Sequence, residues 1–209
     1  MENYKQQIEK MIEVCNLHAK SYRGGKEIDY KVQKAMRTIP RHNFVPHFPY
    51  EDRPVPIGHK QTISQPFIVA YMTDMLDVSP LHTVLEIGTG SGYQAAVLSE
   101  VALKVYTVER IKALADQTKI LLEHYSNVHM KIGNGYEGWK EHAPYDRIIV
   151  TATSEYIPDL LLDQLKDGGK MILPLKRATG FEDLVLITKT GETISHKKLI
   201  GVRFGPLVE

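Results

Sequence analysis

An apolar run that ends in three closely spaced glycines constrains the fold of this chain more than any other feature. Residues 84–87 are followed by Gly88, Gly90 and Gly92, and helix-forming residues begin at Tyr93. This pattern is typical of a buried strand that turns sharply into a helix. Glycine lets the backbone turn and lets a ligand approach, while the first N–H groups of the helix point into the same space. The turn is therefore predicted to bind a ligand.

The spacing of the glycines and a nearby carboxylate indicate which ligand binds there. A dinucleotide-binding turn has glycines at its first, third and sixth positions, whereas Tyr93 occupies the sixth position here. Glu86 would repel a pyrophosphate but would suit the ammonium and sulfonium groups of S-adenosylmethionine (SAM). We therefore expect Glu86, Gly88, Gly90 and Gly92 to contact SAM, although a strand-to-helix turn can be rich in glycine for structural reasons alone.

A second acidic residue follows at the distance that a nucleoside site requires. The apolar run 105–108 ends in Glu109, about twenty residues beyond the turn. An acidic side chain at the tip of the second strand of such a unit accepts both hydroxyls of an adenosyl ribose. Alternatively, Glu109 stabilises the first turn of the helix that begins near Ile111. We predict the ribose role, because turn, spacing and acid coincide.

Composition excludes several classes of protein. The 209 residues suffice for one domain with a sizeable core, and a net charge of +1 without a long basic run gives no reason to expect nucleic acid. Cys15 is the single cysteine, so neither an internal disulfide nor a cysteine cluster for a metal can form, and the histidines lack ligand spacing. We therefore expect no metal. We also expect no membrane partner, because no run of residues is long and apolar enough to span a bilayer. A cytoplasmic monomer is the expectation.

The first eighty residues are predicted to form helices and a functional loop. Apolar residues at helical spacing predict one helix from residue 8 to about residue 22 and another over residues 28–39. The proline-rich segment 41–56 is predicted to be an irregular loop, which inside a compact domain is usually functional. A third helix is predicted from Pro66, and the hydroxyl of Ser64 either caps this helix or serves a ligand.

From residue 83 onward the pattern alternates between strand and helix. Strands are predicted at residues 84–87, 105–109, 128–132, 147–150 and 171–173. The helix before the last of them is predicted to run through Leu165 and to close at residues 168–169. Such alternation predicts an α/β fold, a doubly wound and mostly parallel Rossmann-like sheet, with ligands at the carboxyl ends of the strands.

The C-terminal residues are predicted to extend this sheet. Residues 183–188 and 193–202 have the pattern of two antiparallel strands at the sheet edge. We therefore predict that residues 1–80, the helices and the active-site loop, pack on a SAM-binding α/β part at residues 81–209. The two parts would form one structural unit.

Four stretches of the chain, taken together, resemble protein-L-isoaspartate O-methyltransferase, a family of class I SAM-dependent methyltransferases. They are residues 61–66 (Gln-Thr-Ile-Ser-Gln-Pro), 85–93, 145–152 and 165–169. The glycine turn and the acidic strand tip belong to most class I methyltransferases, whereas Thr-Ile-Ser-Gln-Pro is the specific stretch. The resemblance extends over about residues 41–207.

The resemblance implies a role for each matching residue. Ser64 would be the catalytic serine and Glu109 the ribose acid. The other implied cofactor contacts are Thr62, Ile63, Gln65, Arg110, Asn134 and Gly135. The implied substrate contacts are Ile63, Ser64, Thr151, Ala152, Val202, Arg203 and Phe204. The chain departs from the family pattern at Asn134, where Asp is usual, and at Gly205, where Val is more frequent.

The reaction that the resemblance implies needs few catalytic groups. A methyl group would pass from SAM to the α-carboxylate of L-isoaspartyl or D-aspartyl residues in damaged proteins and peptides, leaving S-adenosylhomocysteine. The ester then cyclises to a succinimide, so the implied role is protein repair. A carboxylate of pKa about 3.9 is already ionised at neutral pH, so a serine donor suffices and no general base is required. An edge strand at residues 198–204 could align the displaced peptide backbone.

Three alternatives remain open at this point. A class I methyltransferase of the same fold could act on another carboxylate or on a small molecule. A binding protein could retain the fold without turnover, although Ser64 and Glu109 are both in place. A dinucleotide oxidoreductase is the third alternative, and the glycine spacing argues against it.

Overall fold

The N-terminal part of the chain forms three helices and a short hairpin. In the computed structural model, which describes residues 2–208, α1 (Glu2–Tyr22) and α2 (Tyr30–Thr38) precede the antiparallel strands β1 (Val55–Gly58) and β2 (Gln61–Ile63), and α3 (Pro66–Leu76) follows. The helices agree with the prediction from apolar spacing. The hairpin replaces the end of the predicted irregular loop, because proline is tolerated in a strand that lacks a neighbour on one side.

The rest of the chain builds a seven-stranded sheet. Its strands are β3 (Thr83–Ile87), β4 (Lys104–Glu109), β5 (Val128–Ile132), β6 (Tyr145–Val150), β7 (Leu165–Lys176), β8 (Glu182–Thr190) and β9 (Thr193–Val202). The connecting helices are α4 (Tyr93–Ser99), α5 (Lys112–Leu122) and α6 (Asp159–Gln164). The strands lie in the order β5-β4-β3-β6-β7-β8-β9, parallel from β5 to β7 and antiparallel from β7 to β9. The predicted α/β fold is confirmed.

The order of the strands fixes where a ligand can bind. The chain winds outward from β3 through β4 to β5, and then returns to the other side of β3 with β6. A crevice opens at such a reversal, outside the carboxyl ends of the strands. The glycine turn directly follows β3, so the turn lies at this crevice.

Alternating side chains of the strands bury both faces of the sheet. Val84 of β3 joins an apolar cluster that includes α1, α2, α3 and α4, whereas Leu85 belongs to a second cluster with α6 on the opposite face. The N-terminal helices therefore share one core with the sheet. The division near residue 80 stays a prediction. Within residues 2–208, no helix combines the length and the apolar character that crossing a membrane requires.

One helix ends earlier than the sequence suggests. We predicted that α6 runs through Leu165 to the glycines at 168–169, but it ends at Gln164 and β7 begins at Leu165. Leu165 pairs with Tyr145 of β6, and its side chain is only 1% exposed. Burial against the sheet thus overrides the helical spacing of the leucines.

Candidate active site

A large cavity lies over the carboxyl ends of β3, β4 and β6. Its volume is about 1110 Å³, and the β1–β2 hairpin and residues 201–208 enclose it from above. Apart from Glu86, Gly92 and Asn134, every residue that the sequence assigned to the site lines this cavity. The structure therefore brings together residues from six separate stretches of the chain.

The glycines of the turn are required for different reasons. Gly88 has a φ of 92°, and a Cβ atom there would lie 2.4 Å from the Thr151 hydroxyl oxygen at the end of β6. Gly92 has a φ of 86°, and its Cβ would lie 2.8 Å from a methyl group of Thr118 on α5. Gly88 thus keeps the cavity open beside β6, whereas Gly92 lets α4 pack against α5 outside the cavity lining.

Glu109 binds the backbone on both sides of the cavity floor. One carboxylate oxygen accepts the Gly90 N–H at 2.8 Å, and the other accepts the Ile111 N–H at 2.9 Å. The side chain is 6% exposed and lines the cavity. Each oxygen keeps a further lone pair, so the carboxylate can hold the turn and still accept ribose hydroxyls. The ribose role stays a prediction, and the helix-start role is present beside it.

Ser64 does not cap helix α3. The N-cap residue is Gln65, whose side chain makes no capping bond, and Asp52 accepts the Phe67 N–H at 3.1 Å instead. The hydroxyl of Ser64 therefore takes no part in capping the start of helix α3. Since Ser64 is half-buried and lines the cavity, its hydroxyl is available to a ligand.

Two residues that the sequence did not single out hold the backbone around Ser64. Arg41 is fully buried, and its guanidinium donates to the carbonyl oxygens of Ser64 and Pro49, each at 2.7 Å. Asp52 accepts the side-chain amide of Gln65 at 2.7 Å. Both residues come from the irregular loop, where no periodicity marks a buried side chain. The sequence indicates a structural role for these two residues only in that both are charged and lie in a proline-rich loop.

The structure corrects the prediction for Glu86. Its side chain is fully buried below the turn and does not line the cavity, so the predicted contact with cationic groups of the cofactor is not offered. One oxygen accepts the Thr107 hydroxyl, which in turn is 2.6 Å from the Thr89 hydroxyl. Burial raises the pKa of Glu86 to about 8, and the nearby charge of Glu109 acts in the same direction. Burial outweighs the bond from Thr107, which lowers the pKa, and therefore favours the protonated form of Glu86.

Replacing Glu86 by glutamine tests this protonation. Because the folded pKa of about 8 exceeds the ordinary 4.5, the folded protein keeps a proton that the unfolded chain releases. Stability from this group is thus fully present below pH 4.5 and declines as the pH rises to 8, by at most about 1.4 kcal/mol per pH unit. Glu86→Gln, which resembles the protonated acid, should remove that decline. Denaturant melts at several pH values measure it, and parallel curves for both proteins would refute the buried neutral acid.

The sequence assigned both Asn134 and Gly135 to the cofactor, and of these two residues Gly135 lines the cavity. The amide oxygen of Asn134 accepts the Tyr136 N–H at 3.0 Å and caps a short 3₁₀ turn, and the side chain is not part of the lining. Gly135 does line the cavity, and a Cβ there would lie 2.6 Å from a methyl group of Ile87. The adenine contact of Asn134 stays a prediction, and its amide oxygen, which keeps a further lone pair, has a local structural role beside it.

Residues 201–208 form the C-terminal wall of the cavity, and Glu182, which no sequence pattern singles out, anchors this wall. One carboxylate oxygen of Glu182 accepts the Phe204 N–H at 2.7 Å and the Thr153 hydroxyl at 2.8 Å. Next along the chain, a Cβ on Gly205 would lie 3.5 Å from the side-chain oxygen of Gln61 on the hairpin. The wall and the hairpin therefore meet across the cavity. β9 is the outermost strand of the sheet, and its last residues, Gly201 and Val202, line the cavity.

Comparisons of the sequence agree on one family. The family model described as protein-L-isoaspartate(D-aspartate) O-methyltransferase matches residues 13–209. A protein-L-isoaspartate O-methyltransferase from Dictyoglomus thermophilum is 53% identical over 183 residues, covering 85% of this chain and 83% of that protein. Protein-L-isoaspartate O-methyltransferase 2 from a Polaromonas species is 49% identical over 191 residues, covering 88% of this chain and 90% of its own.

Solved structures give the same result. A protein-L-isoaspartate O-methyltransferase superposes with a TM-score of 0.85 at 28% identity, covering 97% of this chain and 66% of that one. A protein-L-isoaspartate O-methyltransferase from Plasmodium falciparum, solved in complex with S-adenosyl-L-homocysteine, superposes with a TM-score of 0.82 at 25% identity, covering 98% of both chains. Both similarities include the N-terminal helices as well as the sheet.

Proposed function

The chain belongs to the protein-L-isoaspartate(D-aspartate) O-methyltransferase family, and from this premise we propose how its cavity performs the reaction of that family. The enzyme moves a methyl group from SAM to the α-carboxylate of an isoaspartyl residue in a damaged protein or peptide. The observation that carries the proposal is that Ser64 and the Gly90–Glu109 pair line one cavity.

The cofactor would bind at the glycine turn. The part of the cavity beside this turn fits an adenosyl group, because Gly88 and Gly135 leave room that larger side chains would fill. Glu109, which also lines the cavity, keeps lone pairs that can accept hydroxyl groups. Glu109 would accept the ribose hydroxyls, and Arg110 would lie beside them. When bound, SAM supplies an electrophilic methyl group on a sulfonium. Thr62, Ile63 and Gln65 would cover it from the hairpin side.

The residues around the methyl group would act by position. A substrate carboxylate is ionised at neutral pH and is itself the nucleophile, so the protein need not remove a proton. The Ser64 hydroxyl would donate a hydrogen bond to one carboxylate oxygen and leave the other free to attack. The new C–O bond would form as the S–CH₃ bond breaks, and the electron pair of the broken bond would stay on sulfur. Arg41 and Asp52 would keep the Ser64 backbone fixed during the transfer.

The peptide would bind along the C-terminal wall. Thr151 and Ala152, which follow β6, and residues 202–204, at the end of β9, all border the cavity. An isoaspartyl residue displaces the backbone, and the free edge of β9 can bind such a backbone through its own N–H and carbonyl groups. Glu182, which holds the Phe204 N–H, would keep this wall in place.

We propose further that the enzyme acts as a cytoplasmic monomer. The single cysteine, Cys15, suits a reducing compartment, because burial raises the pKa of its thiol to about 12 and keeps the thiol away from partners. Residues 1–80 and 81–209 would act as one unit, because α1, α2 and α3 share their apolar cluster with the sheet.

The test is methyl transfer from labelled SAM to an isoaspartyl peptide, measured beside a panel of small carboxylic acids. Faster transfer to the peptide supports the proposal, since only a peptide can use the edge of β9. A clear preference for a small acid would favour the alternative, a class I methyltransferase that acts on another carboxylate or small molecule. Cofactor binding without any transfer would instead point to a binding protein.

A further inference from the structure

The tip of the β1–β2 hairpin has a backbone conformation that its residues disfavour. His59 and Lys60 join the two strands, and their φ angles are positive, 50° and 60°. Gly58 and Gln61 pair on either side of them, so this is a two-residue hairpin loop. Such loops are normally built from Asn-Gly or a similar pair, because other side chains collide with the backbone at positive φ. A strained residue of this kind often has a function that outweighs its cost.

Lys60 stands at the opening of the cavity. It is exposed and lines the cavity, and it forms no ion pair with any residue between 2 and 208. The hairpin that carries Lys60 crosses the glycine turn, since a Cβ on Gly90 would lie 3.6 Å from Ile57. On its other side Gln61 faces Gly205 of the C-terminal wall. The hairpin tip that carries Lys60 therefore lies between the glycine turn and the C-terminal wall.

Two further cations lie on the peptide side of the same opening. Arg177 precedes the segment that leads into β8, and Arg203 follows β9; both line the cavity. We call Lys60, Arg177 and Arg203 the cationic rim. Asp183 pairs with Arg177, but Lys198 also binds this carboxylate, at 3.1 Å, so its charge is shared between two cations.

The carboxylates of the lining do not cancel this charge at the surface. Glu109 accepts two backbone N–H groups on the cavity floor. Glu182 is bound to the Phe204 N–H and to the Thr153 hydroxyl. Both acids are held inward by these bonds, whereas Lys60 and Arg203 are exposed. An approaching peptide thus meets positive charge before it meets either carboxylate.

We propose that Lys60 determines substrate specificity by favouring isoaspartyl peptides that carry acidic residues beside the isoaspartyl position. This proposal rests on the proposed function, and it adds the class of flanking sequence that the site prefers. The two-residue loop places Lys60 at the tip of the hairpin, beside the opening, and Arg177 and Arg203 would extend the positive surface along the peptide. Oppositely charged groups at such an opening raise the rate of productive encounter, and salt weakens the effect.

Three isoaspartyl peptides that differ solely in the flanking residues, with Glu, Gln or Lys, provide the test. For the wild-type enzyme, kcat/KM should be severalfold higher with Glu than with Gln and lowest with Lys, and added salt should compress these differences. Lys60→Asn removes the charge and places a residue that tolerates positive φ, so we expect the ratio of Glu to Gln to fall toward one while the Tm rises. Lys60→Arg, the matched control, keeps the charge and should keep the ratio.

The outcomes separate the two proposals. If Lys60→Asn melts cooperatively and still shows the wild-type ratio of Glu to Gln, Lys60 does not determine specificity, although the enzyme remains an isoaspartyl methyltransferase. A wild-type preference for Lys flanks would overturn the inference as well. Absence of methyl transfer to all three peptides would overturn the proposed function itself.

Discussion

Replacing Glu109 by alanine should weaken the binding of S-adenosylhomocysteine at least tenfold. The change removes the proposed acceptor of the ribose hydroxyls, and it also leaves the N–H groups of Gly90 and Ile111 without their acceptor. Each unsatisfied buried group costs about 1 to 3 kcal/mol, and about 1.4 kcal/mol corresponds to a factor of ten in affinity. Titration calorimetry measures the affinity, and a thermal melt of the same preparation measures how far the fold is affected.

Glu109→Gln is the control for this variant. Its amide oxygen can still accept one of the two backbone N–H groups, while its amide nitrogen can accept nothing. We expect an affinity between those of the wild type and the alanine variant. If the alanine variant binds S-adenosylhomocysteine as tightly as the wild type, Glu109 is solely a structural residue and the ribose lies elsewhere.

Replacing Ser64 by alanine should reduce kcat/KM for an isoaspartyl peptide at least tenfold. A hydrogen bond to a charged group contributes roughly 1.5 to 3 kcal/mol, and this bond would be lost from the reacting carboxylate. Because the hydroxyl does not cap α3, the variant should melt close to the wild-type temperature. Affinity for the cofactor should fall less than kcat/KM. Steady-state kinetics and a thermal melt measure both quantities.

Ser99→Ala offers a matched control for the same chemical change. Ser99 is also half-buried, but it ends α4 away from the cavity, where its hydroxyl donates to the Ala96 carbonyl at 2.6 Å. We expect this variant to lose some stability and little activity per folded molecule. A Ser64→Ala enzyme that turns over like Ser99→Ala would remove Ser64 from the catalytic role.

The parts of the fold that the sequence predicted are those set by local patterns. Alternating strands and helices, and the glycine turn between β3 and α4, depend on neighbouring residues and can be read directly. The β1–β2 hairpin could not, because Pro56 disfavours a strand unless the strand lies at an edge. The end of α6 was also wrong, since the pairing of Leu165 with Tyr145 is a contact between distant residues.

The site shows the same division between local and distant information. Gly88 and Ser64 can be recognised from the residues next to them in the sequence. By contrast, the side chain that caps α3 in place of Ser64 is that of Asp52, twelve residues before Ser64. Arg41 acts through backbone carbonyls that no sequence pattern identifies. Glu86 was misjudged because a sequence gives the type of a charged residue but not its burial. In this protein burial keeps the acid neutral and away from the cavity.

The most direct test of the account is the rate of methyl transfer from labelled SAM to a matched pair of peptides, one isoaspartyl and one aspartyl at the same position. The two peptides have the same composition and charge, so only the course of the backbone differs between them. Our account predicts rapid transfer to the isoaspartyl peptide and almost none to the aspartyl peptide. Equal rates on the two peptides would contradict recognition of a displaced backbone at the edge of β9, and with it the repair function.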